Sequence, residues 1–342
     1  MKDRLQLGKV PPELFKELLD QLTRIDASLV VPPGAGRDAA GLSINHQMVA
    51  VATDPVTIAT DRLGAYSVAL NINDVACLGC RSKWFTATIL LPENSTETQL
   101  RHIWQDVLAE LQKYHIQLIG GHTEVSQAVT RPIVIGQMIG QAIDTSLLNP
   151  ANGNPGDKIL LWQNIPIEGI ALLAKERYQE LKRYFSEDEL DDMVSLLDDP
   201  GICVWPVVER LVPTEGLVSL HDPTEGGIAT GLHEMADAAN CGLQINAEAI
   251  SLLPSAKRIS QLLSLDPLGM LASGCLLILA RPKAIEQIQE KLYDEPLVVI
   301  GELTENQERI MVRGDKTELL PRYTQDEIIR ALAAIPSSQK VI

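Results

Sequence analysis

Four short segments in the first half of the chain place glycine or a carboxylate at or near the end of a strand-like or helix-like run. They are GAGRDAAG at 34–41, TDPV at 53–56, NINDVA at 71–76 and IGGHTE at 119–124. Ligand sites in α/β structures tend to lie just beyond strands. Carboxylate oxygens suit a hard divalent cation, and glycines let the backbone approach a phosphate closely. Together the segments indicate a site for a metal and a phosphate.

The segment HDPTEGG at 221–227 leads directly into a strongly amphipathic helical pattern. Thr224 and the two glycines would leave backbone N–H groups at the start of this helix, where phosphate binds without a net positive surface. An ordinary capped helix start is the alternative. Asp54 as a turn former and Asp74 as a surface residue are equally open when each is taken alone. Asn71 and Asp74 are three residues apart, so on a helix they share one face.

Three other patterns are weaker evidence for a functional site. Residues 34–39 fit the dinucleotide pattern G-x-G-x-x-A, but Pro32 and Pro33 stand where a buried strand should end and no amphipathic helix clearly follows, which argues against that site. Cys77 and Cys80 form a lone C-x-x-C without a second ligand pair, so helix packing is favoured over zinc binding. The acidic run at 186–200 interleaves carboxylates with apolar residues at helical spacing and predicts a solvated helix face.

These segments are positioned by strands and helices that alternate along the chain. The first half has helical periodicity near Phe15, an alternating strand that ends near Pro55 and a helix behind a Thr96-x-x-Gln99 capping box. The segment NPANGNPGDK at 149–158 is rich in proline, glycine and asparagine and predicts a boundary. We therefore expect two domains, residues 1–150 and residues 151–342.

Composition narrows the class of protein. The 342 residues include 29 Lys plus Arg against 45 Asp plus Glu, a net charge of −16. Nucleic-acid binders need clustered cations, so nucleic acid is not an expected partner. No secretory signal or span of 18 apolar residues is evident, and the five cysteines are an odd number, which favours reduced thiols. We expect a cytoplasmic protein with no membrane partner.

The order of the motifs resembles the aminoimidazole ribonucleotide (AIR) synthase superfamily, which includes the E-type hydrogenase maturation protein, selenophosphate synthetase and thiamine-monophosphate kinase. Its members share, in order, G-[DE]-D-A-A, T-D, N-D-[LVI]-A-x-x-G, G-G-[DE]-T and D-x-[ST]-x-G-G. The corresponding segments here are GRDAA at 36–40, TDP at 53–55, NDVACLG at 73–79, GGHTE at 120–124 and DPTEGG at 222–227. The last segment is most similar to the E-type protein and its AIR-synthase-related relatives.

The resemblance implies a two-domain α+β subunit with an N-terminal mixed sheet that dimerises and a C-terminal αβ domain, binding ATP and Mg²⁺ in a cleft. It implies metal ligands at Asp38, Asp54, Asp74, Glu124 and Asp222. It also implies nucleotide-binding residues, namely Gly36, Arg37, Asp38, Thr53, Asn73, Gly120, Gly121, Thr123, Thr224, Gly226 and Gly227. No catalytic residue follows from the motifs.

Three departures from the family pattern shape the functional expectation. Arg37 replaces the first carboxylate of the acidic pair, either as a phosphate-facing cation or as an ion-pair partner of Asp38. His122 replaces the acidic residue of the glycine turn, leaving Glu124 as a substitute ligand. The E-type protein ends in a reactive cysteine, whereas this sequence ends AAIPSSQKVI and its last cysteine is Cys275.

Two functions fit these features. The first is an ATP- and Mg²⁺-dependent enzyme that phosphorylates or activates a small-molecule or protein-borne, carbonyl-type substrate. The alternative is a nucleotide-binding accessory protein of metalloenzyme maturation, such as hydrogenase maturation, with little turnover of its own. A homodimer is expected in either case, because the resemblance implies it.

Overall fold

A computed structural model of the chain describes residues 5, 8–23, 25–34, 36–57 and 62–334. The expectations that rest on the first residues and on the C-terminal AAIPSSQKVI lie partly outside this range. Within it, no helix is long and apolar enough to span a membrane.

The N-terminal half forms a six-stranded mixed sheet. Its strands are β1 (Leu29–Val31), β2 (Ala40–Ile44), β3 (Gln47–Val56), β4 (Cys80–Leu91), β5 (Gln117–Val125) and β6 (Ile133–Ala142). They lie in the order β1-β2-β3-β6-β4-β5, and only the β4–β5 pair is parallel. The glycine turn of the sequence analysis is therefore part of an edge strand.

Three helices accompany this sheet, α1 (Pro12–Leu19), α2 (Leu63–Cys77) and α3 (Glu97–Lys113). The hydroxyl oxygen of Thr96 accepts a hydrogen bond from the Gln99 N–H and caps α3, as its sequence predicts. Helix α2 packs closely on β6, where a Cβ at Gly136 would lie 2.5 Å from the Asn71 amide nitrogen. This close approach seats α2 against the strands.

The C-terminal half forms a seven-stranded sheet, again mixed. Its strands are β7 (Lys158–Trp162), β8 (Leu217–His221), β9 (Gly242–Asn246), β10 (Leu276–Ala280), β11 (Leu297–Thr304), β12 (Arg309–Arg313) and β13 (Lys316–Leu319). The order is β13-β12-β9-β11-β7-β10-β8, with only β9 and β12 parallel. Strands β7 and β10 are almost wholly buried, since helices and loops cover both faces.

Eight α-helices lie in the described part of this half, and two of them test sequence predictions directly. They are α4 (Ile167–Glu176), α5 (Tyr178–Leu181), α6 (Glu187–Ser195), α7 (Trp205–Leu211), α8 (Gly227–Ala239), α9 (Pro254–Leu263), α10 (Ile285–Lys291) and α11 (Glu327–Ala334). The acidic run does form an amphipathic helix, with Leu190 and Met193 buried. Helix α8 buries Ile228, Leu232 and Met235 on one stripe, also as predicted.

The two halves share one apolar core and are also joined by polar contacts. Buried residues of both sheets, such as Phe85 and Leu160, belong to the same cluster. The Asn73 side chain at the buried side of α2 donates to the Ile202 carbonyl at 2.8 Å and accepts from the Val204 N–H at 2.9 Å. The α+β class with two mixed sheets is thus confirmed. The boundary near residue 150 remains a proposal.

Candidate functional site

Four aspartates from four separate elements make up the candidate site. Asp38 lies in the loop before β2, Asp54 in β3, Asp74 in α2, and Asp222 directly after β8. Burial raises the pKa of Asp74 well above its ordinary value, and the charges of Asp222, Asp54 and Asp38 raise it further. Such mutual repulsion shows that the sequence-predicted carboxylates, drawn from both halves, lie near each other.

Asp222 is the most deeply buried of the four, at 3 % exposure. Burial and the charge of Asp38 raise the pKa of Asp222 to about 8. Its Oδ2 atom is buried and has no hydrogen-bond partner among the described residues. An orphaned carboxylate oxygen costs free energy unless a proton or a cation satisfies it.

Asp54 is held by the fold from the α2 side. Its backbone N–H donates to Asn71 Oδ1 at 3.1 Å, and Asn71 Nδ2 donates to the Asp54 carbonyl at 3.2 Å. Burial and the charge of Glu225 raise the pKa of Asp54 to about 6. Asn71, which the sequence placed on one helix face with Asp74, therefore serves here to fix the backbone that carries Asp54.

His221 connects Asp38 to a carboxylate that sequence reasoning missed. Its Nδ1 lies 2.7 Å from Asp38 Oδ1 and its Nε2 lies 3.0 Å from Glu234 Oε2. Although burial opposes it, the charges of Asp38 and Glu234 raise the pKa of His221 well above its ordinary value. As an imidazolium, His221 donates from both nitrogens, which orients Asp38 and offsets some of the negative charge.

Lys9 brings a second positive charge to the site, from the segment before α1. Its Nζ donates to Thr224 Oγ1 at 3.1 Å and lies 3.8 Å from Glu225. It also lowers the pKa that Asp54 would otherwise have. Sequence reasoning missed Lys9, because the Gly8-Lys9 pair has no periodicity or spacing that marks it as functional.

Two backbone N–H groups at the start of α8 already have hydrogen-bond partners within the chain, which the sequence did not suggest. The Gly226 N–H donates to Asp326 Oδ2 at 2.6 Å, and the Gly227 N–H donates to the Thr224 carbonyl at 3.0 Å. Both glycines have positive φ, and a Cβ at Gly227 would lie 2.4 Å from the Leu268 carbonyl oxygen. One of the N–H groups that we expected to bind phosphate thus already binds the Asp326 carboxylate.

The loop before β2, which carries Asp38, also packs on α8 through Gly36. Gly36 has φ +67°, and a Cβ there would lie 2.5 Å from the Glu234 carbonyl oxygen. Arg37 donates from NH1 to the Pro32 carbonyl at 3.0 Å, while its Nε is buried without a partner among the described residues. In this arrangement Asp38 is paired with His221, and Arg37 with its own loop.

Thr53 and the glycine-turn residues lie apart from the four aspartates. Side chains alternate along a strand, so Thr53 and Asp54 point to opposite faces of the sheet. Gly120, Gly121, Thr123 and Glu124 lie on β5, which two intervening strands separate from β3 by roughly 14 Å. Within one chain, therefore, these residues are not assembled with the carboxylates. His122 pairs with Glu124 at 3.2 Å, and both side chains are exposed.

Glu168, at the first turn of α4, is a buried carboxyl that no motif marked. It is 6 % exposed, and its Oε2 has no hydrogen-bond partner within the described parts of the chain. Burial raises the pKa of Glu168 to about 7, with a further contribution from the charges of Glu225, Asp326 and Asp54. Its sequence surroundings, IPIEGIALLA, give only the signal of a lone acid in an apolar run.

The donor set of the carboxylate cluster fits a divalent cation. Mg²⁺ prefers carboxylate oxygens and binds through a few of them together with substrate phosphates. The orphaned Asp222 oxygen and the like charges of Asp38, Asp54 and Asp74 are what such an ion would neutralise. The fold and this site define a two-domain α+β protein with an acidic centre between its halves, whose donor set suits a divalent cation.

The chain belongs to the AIR synthase related protein family. Residues 36–142 match the N-terminal domain of that family and residues 154–313 match its C-terminal domain. The resemblance read from the ordered motifs is thereby confirmed.

The curated relatives include proteins named carbamoyl dehydratase HypE. The carbamoyl dehydratase HypE of Rhizobium leguminosarum bv. viciae is 25 % identical over 272 residues, covering 77 % of this chain and 74 % of the relative. HypE of Escherichia coli K12 is 24 % identical over 288 residues, covering 82 % and 80 %.

Solved structures share the fold across most of the chain. A HypE–HypF complex gives a TM-score of 0.75 at 20 % identity, covering 91 % of this chain and 99 % of that one. HypE in complex with ATP gives 0.71 at 20 % identity, covering 92 % and 91 %. ThiL complexed with AMPPCP and TMP gives 0.68 at 16 % identity, covering 92 % and 94 %.

Proposed function

We propose that this protein is an ATP- and Mg²⁺-dependent enzyme that phosphorylates or otherwise activates a small-molecule or protein-borne, carbonyl-type substrate. The observation that carries the proposal is the convergence of Asp38, Asp54, Asp74 and Asp222, with one buried oxygen of Asp222 unsatisfied. Related structures described with ATP and with AMPPCP support a nucleotide as the ligand.

In this proposal the chain's own residues position the nucleotide and balance its charge. The four aspartates would hold Mg²⁺, and the ion would supply positive charge to the phosphates during transfer. Lys9 and Thr224 lie next to each other at this site. They provide a cation and a hydroxyl group that are suited to binding a phosphate oxygen. The net charge of −16 does not oppose this, because the metal and Lys9 supply positive charge locally.

Calorimetry with Mg²⁺ and a non-hydrolysable ATP analogue tests the proposal. Wild-type protein should bind, and Asp74→Asn should weaken binding by at least tenfold, because a ligand of the metal is lost. Asp188→Asn, which changes an exposed carboxylate on α6, should leave the affinity unchanged. Absence of binding by the wild type, or equal binding by Asp74→Asn, contradicts the proposal.

A homodimer formed through the N-terminal sheet belongs to the same proposal. The face of the sheet opposite α2 carries an apolar row across three strands, Val51 paired with Ile139 and Ile139 with Trp84. Trp84 is 41 % exposed, and neighbouring Ile119 is 53 % exposed. A second copy covering this face would place the β5 residues Gly120, Gly121 and Thr123 at the subunit boundary, where they could act on a nucleotide held by the other copy.

Light scattering after size exclusion tests the dimer. Wild type should elute at twice the mass of one chain, and Trp84→Glu should elute as a monomer, since a charge would be buried without a partner. Trp104→Glu changes an equally exposed tryptophan on α3 and should remain dimeric. A monomeric wild type, or a dimer that tolerates Trp84→Glu, contradicts this arrangement.

The second candidate is an accessory role in metalloenzyme maturation with little turnover. The HypE–HypF complex among related structures favours a protein partner, and another related structure is described as HypE, a hydrogenase maturation protein. Cys77, Cys80, Cys241 and Cys275 are buried, so a reacting group carried covalently on one of these thiols, as on a terminal cysteine, is disfavoured. Steady release of ADP by the isolated protein would support the enzyme, and binding without turnover across candidate substrates would support the accessory role.

A further inference from the structure

Cys77 faces the carboxylate site, although the C-x-x-C spacing alone favoured simple packing. It is the last residue of α2, and its Sγ donates to Asp222 Oδ1 at 3.7 Å. The sulfur, one oxygen of Asp38 and one oxygen of Asp222 all lie within 4.8 Å of one another. Cys80 begins β4 and interacts instead with the backbone of Ala50. The two cysteines therefore have different roles.

The second observation is the unsatisfied oxygen at this same place. Asp222 is 3 % exposed; its Oδ1 accepts a hydrogen bond from the Cys77 thiol, and its Oδ2 has no hydrogen-bond partner among the described residues. A thiol is a weak donor, so it satisfies this carboxylate poorly. A cation bound between Cys77, Asp38 and Asp222 would neutralise this buried carboxylate.

Asp38 is oriented as metal-binding carboxylates commonly are. His221 donates to its Oδ1 at 2.7 Å, and His221 is held in turn by Glu234 at 3.0 Å. Outer hydrogen bonds of this kind fix the orientation of a metal-binding side chain and are part of the design of metal sites. The Asp38 oxygen that does not bond His221 remains as a donor for the ion.

A thiol among carboxylates changes which metal the site prefers. Carboxylates alone suit Mg²⁺, while a thiolate favours softer ions such as Zn²⁺ and Co²⁺. With Zn–S near 2.3 Å and Zn–O near 2.0 to 2.2 Å, a tetrahedral site separates sulfur from oxygen by about 3.5 to 3.7 Å. The separation between Cys77 Sγ and Asp222 Oδ1 is 3.7 Å.

We propose that Asp38, Cys77 and Asp222 form a site for a thiophilic divalent cation of the Zn²⁺ and Co²⁺ class, with a fourth position open to water or a ligand oxygen. On binding, the thiol proton is released to solvent and the sulfur coordinates as thiolate. The site rests on the proposed function in that it shares Asp38 and Asp222 with the Mg²⁺-nucleotide site, so Zn²⁺ bound there competes with the Mg²⁺-nucleotide.

Titration of metal-free protein with Co²⁺, in the absence of nucleotide, tests the proposal. Wild type should develop a near-ultraviolet thiolate-to-cobalt absorption that saturates at one equivalent and is displaced by Zn²⁺. Cys77→Ser should lose this absorption, because serine keeps the size of the side chain but supplies no sulfur. Cys80→Ser, a change three residues away, should retain it.

A wild type without the absorption, or a Cys77→Ser variant that keeps it, overturns the proposal. X-ray absorption at the zinc edge gives a second measurement on the wild type alone, with one sulfur neighbour expected and none overturning the site. Calorimetry with Mg²⁺ and the ATP analogue separates the two proposals. Nucleotide binding without the cobalt absorption removes only the thiolate site, and the cobalt absorption without nucleotide binding removes only the ATP-dependent function.

Discussion

Glu168→Gln replaces a carboxyl group that the fold buries beside other acids. Burial raises its pKa from the ordinary 4.5 to about 7. Each pKa unit corresponds to about 1.4 kcal/mol, so a difference of about 2.5 amounts to about 3 kcal/mol of stability. The amide has nearly the same shape and cannot ionise, so the variant does not carry this pH-dependent cost.

The direction of the effect follows from which state releases the proton first. Below pH 4.5 the carboxyl is protonated in the folded and unfolded chains alike, and it adds no penalty. As pH rises from 4.5 to about 7, only the unfolded chain releases the proton, which stabilises the unfolded state. Above about pH 7 the folded chain carries a buried carboxylate and the full penalty persists.

Urea unfolding of wild type and Glu168→Gln at pH 5 and pH 8, without divalent metal, measures this difference. The free energy of unfolding of the variant should gain about 2 to 3 kcal/mol over wild type between the two pH values. Glu290→Gln, an exposed position on α10, should show no such gain. A difference that does not change with pH would refute the assignment of a raised pKa to Glu168.

Three further predictions concern contacts around the site. Asp326→Ala removes the acceptor of three backbone N–H groups, those of Gly226, Leu271 and Ile328. The variant should therefore lower the free energy of unfolding in urea by about 3 kcal/mol. Asp315→Ala, a change in an exposed turn, is the control. Asn73→Ala removes two hydrogen bonds between the halves and should cost about 2 kcal/mol in the same assay; a cost below about 0.5 kcal/mol would contradict the bridging role. Lys9→Ala should weaken binding of the Mg²⁺-ATP analogue by about tenfold in calorimetry, and unchanged affinity would remove Lys9 from the nucleotide site.

Much of the fold could be predicted from the sequence, because its strongest patterns are local. The stripe of α8 and the acidic face of α6 follow from helical periodicity and formed as predicted. The two-sheet organisation followed from the resemblance, since five ordered motifs span both halves. The strand order does not follow from local pattern, which is why the edge position of β5 was not foreseen.

The site was predictable only in part, since several of its residues act through contacts between distant segments. The four aspartates stand in recognisable motifs, whereas Glu234 is defined by a hydrogen bond to His221, and Asp326 by its bond to a residue 100 positions away. Lys9 reaches Thr224 across 215 positions. The sequence predicted only a packing role for Cys77 and did not predict the carboxylates beside it. The spacing of two cysteines does not indicate which distant residues they will contact.

The central claim is that a Mg²⁺-nucleotide binds at the four aspartates. Its most direct test is a crystal structure with Mn²⁺ and a non-hydrolysable ATP analogue, with the metal located by its anomalous scattering. The metal peak should be coordinated by carboxylates from the set Asp38, Asp54, Asp74 and Asp222, with phosphate oxygens completing the shell and Lys9 beside them. A nucleotide whose metal touches none of these four aspartates would contradict it.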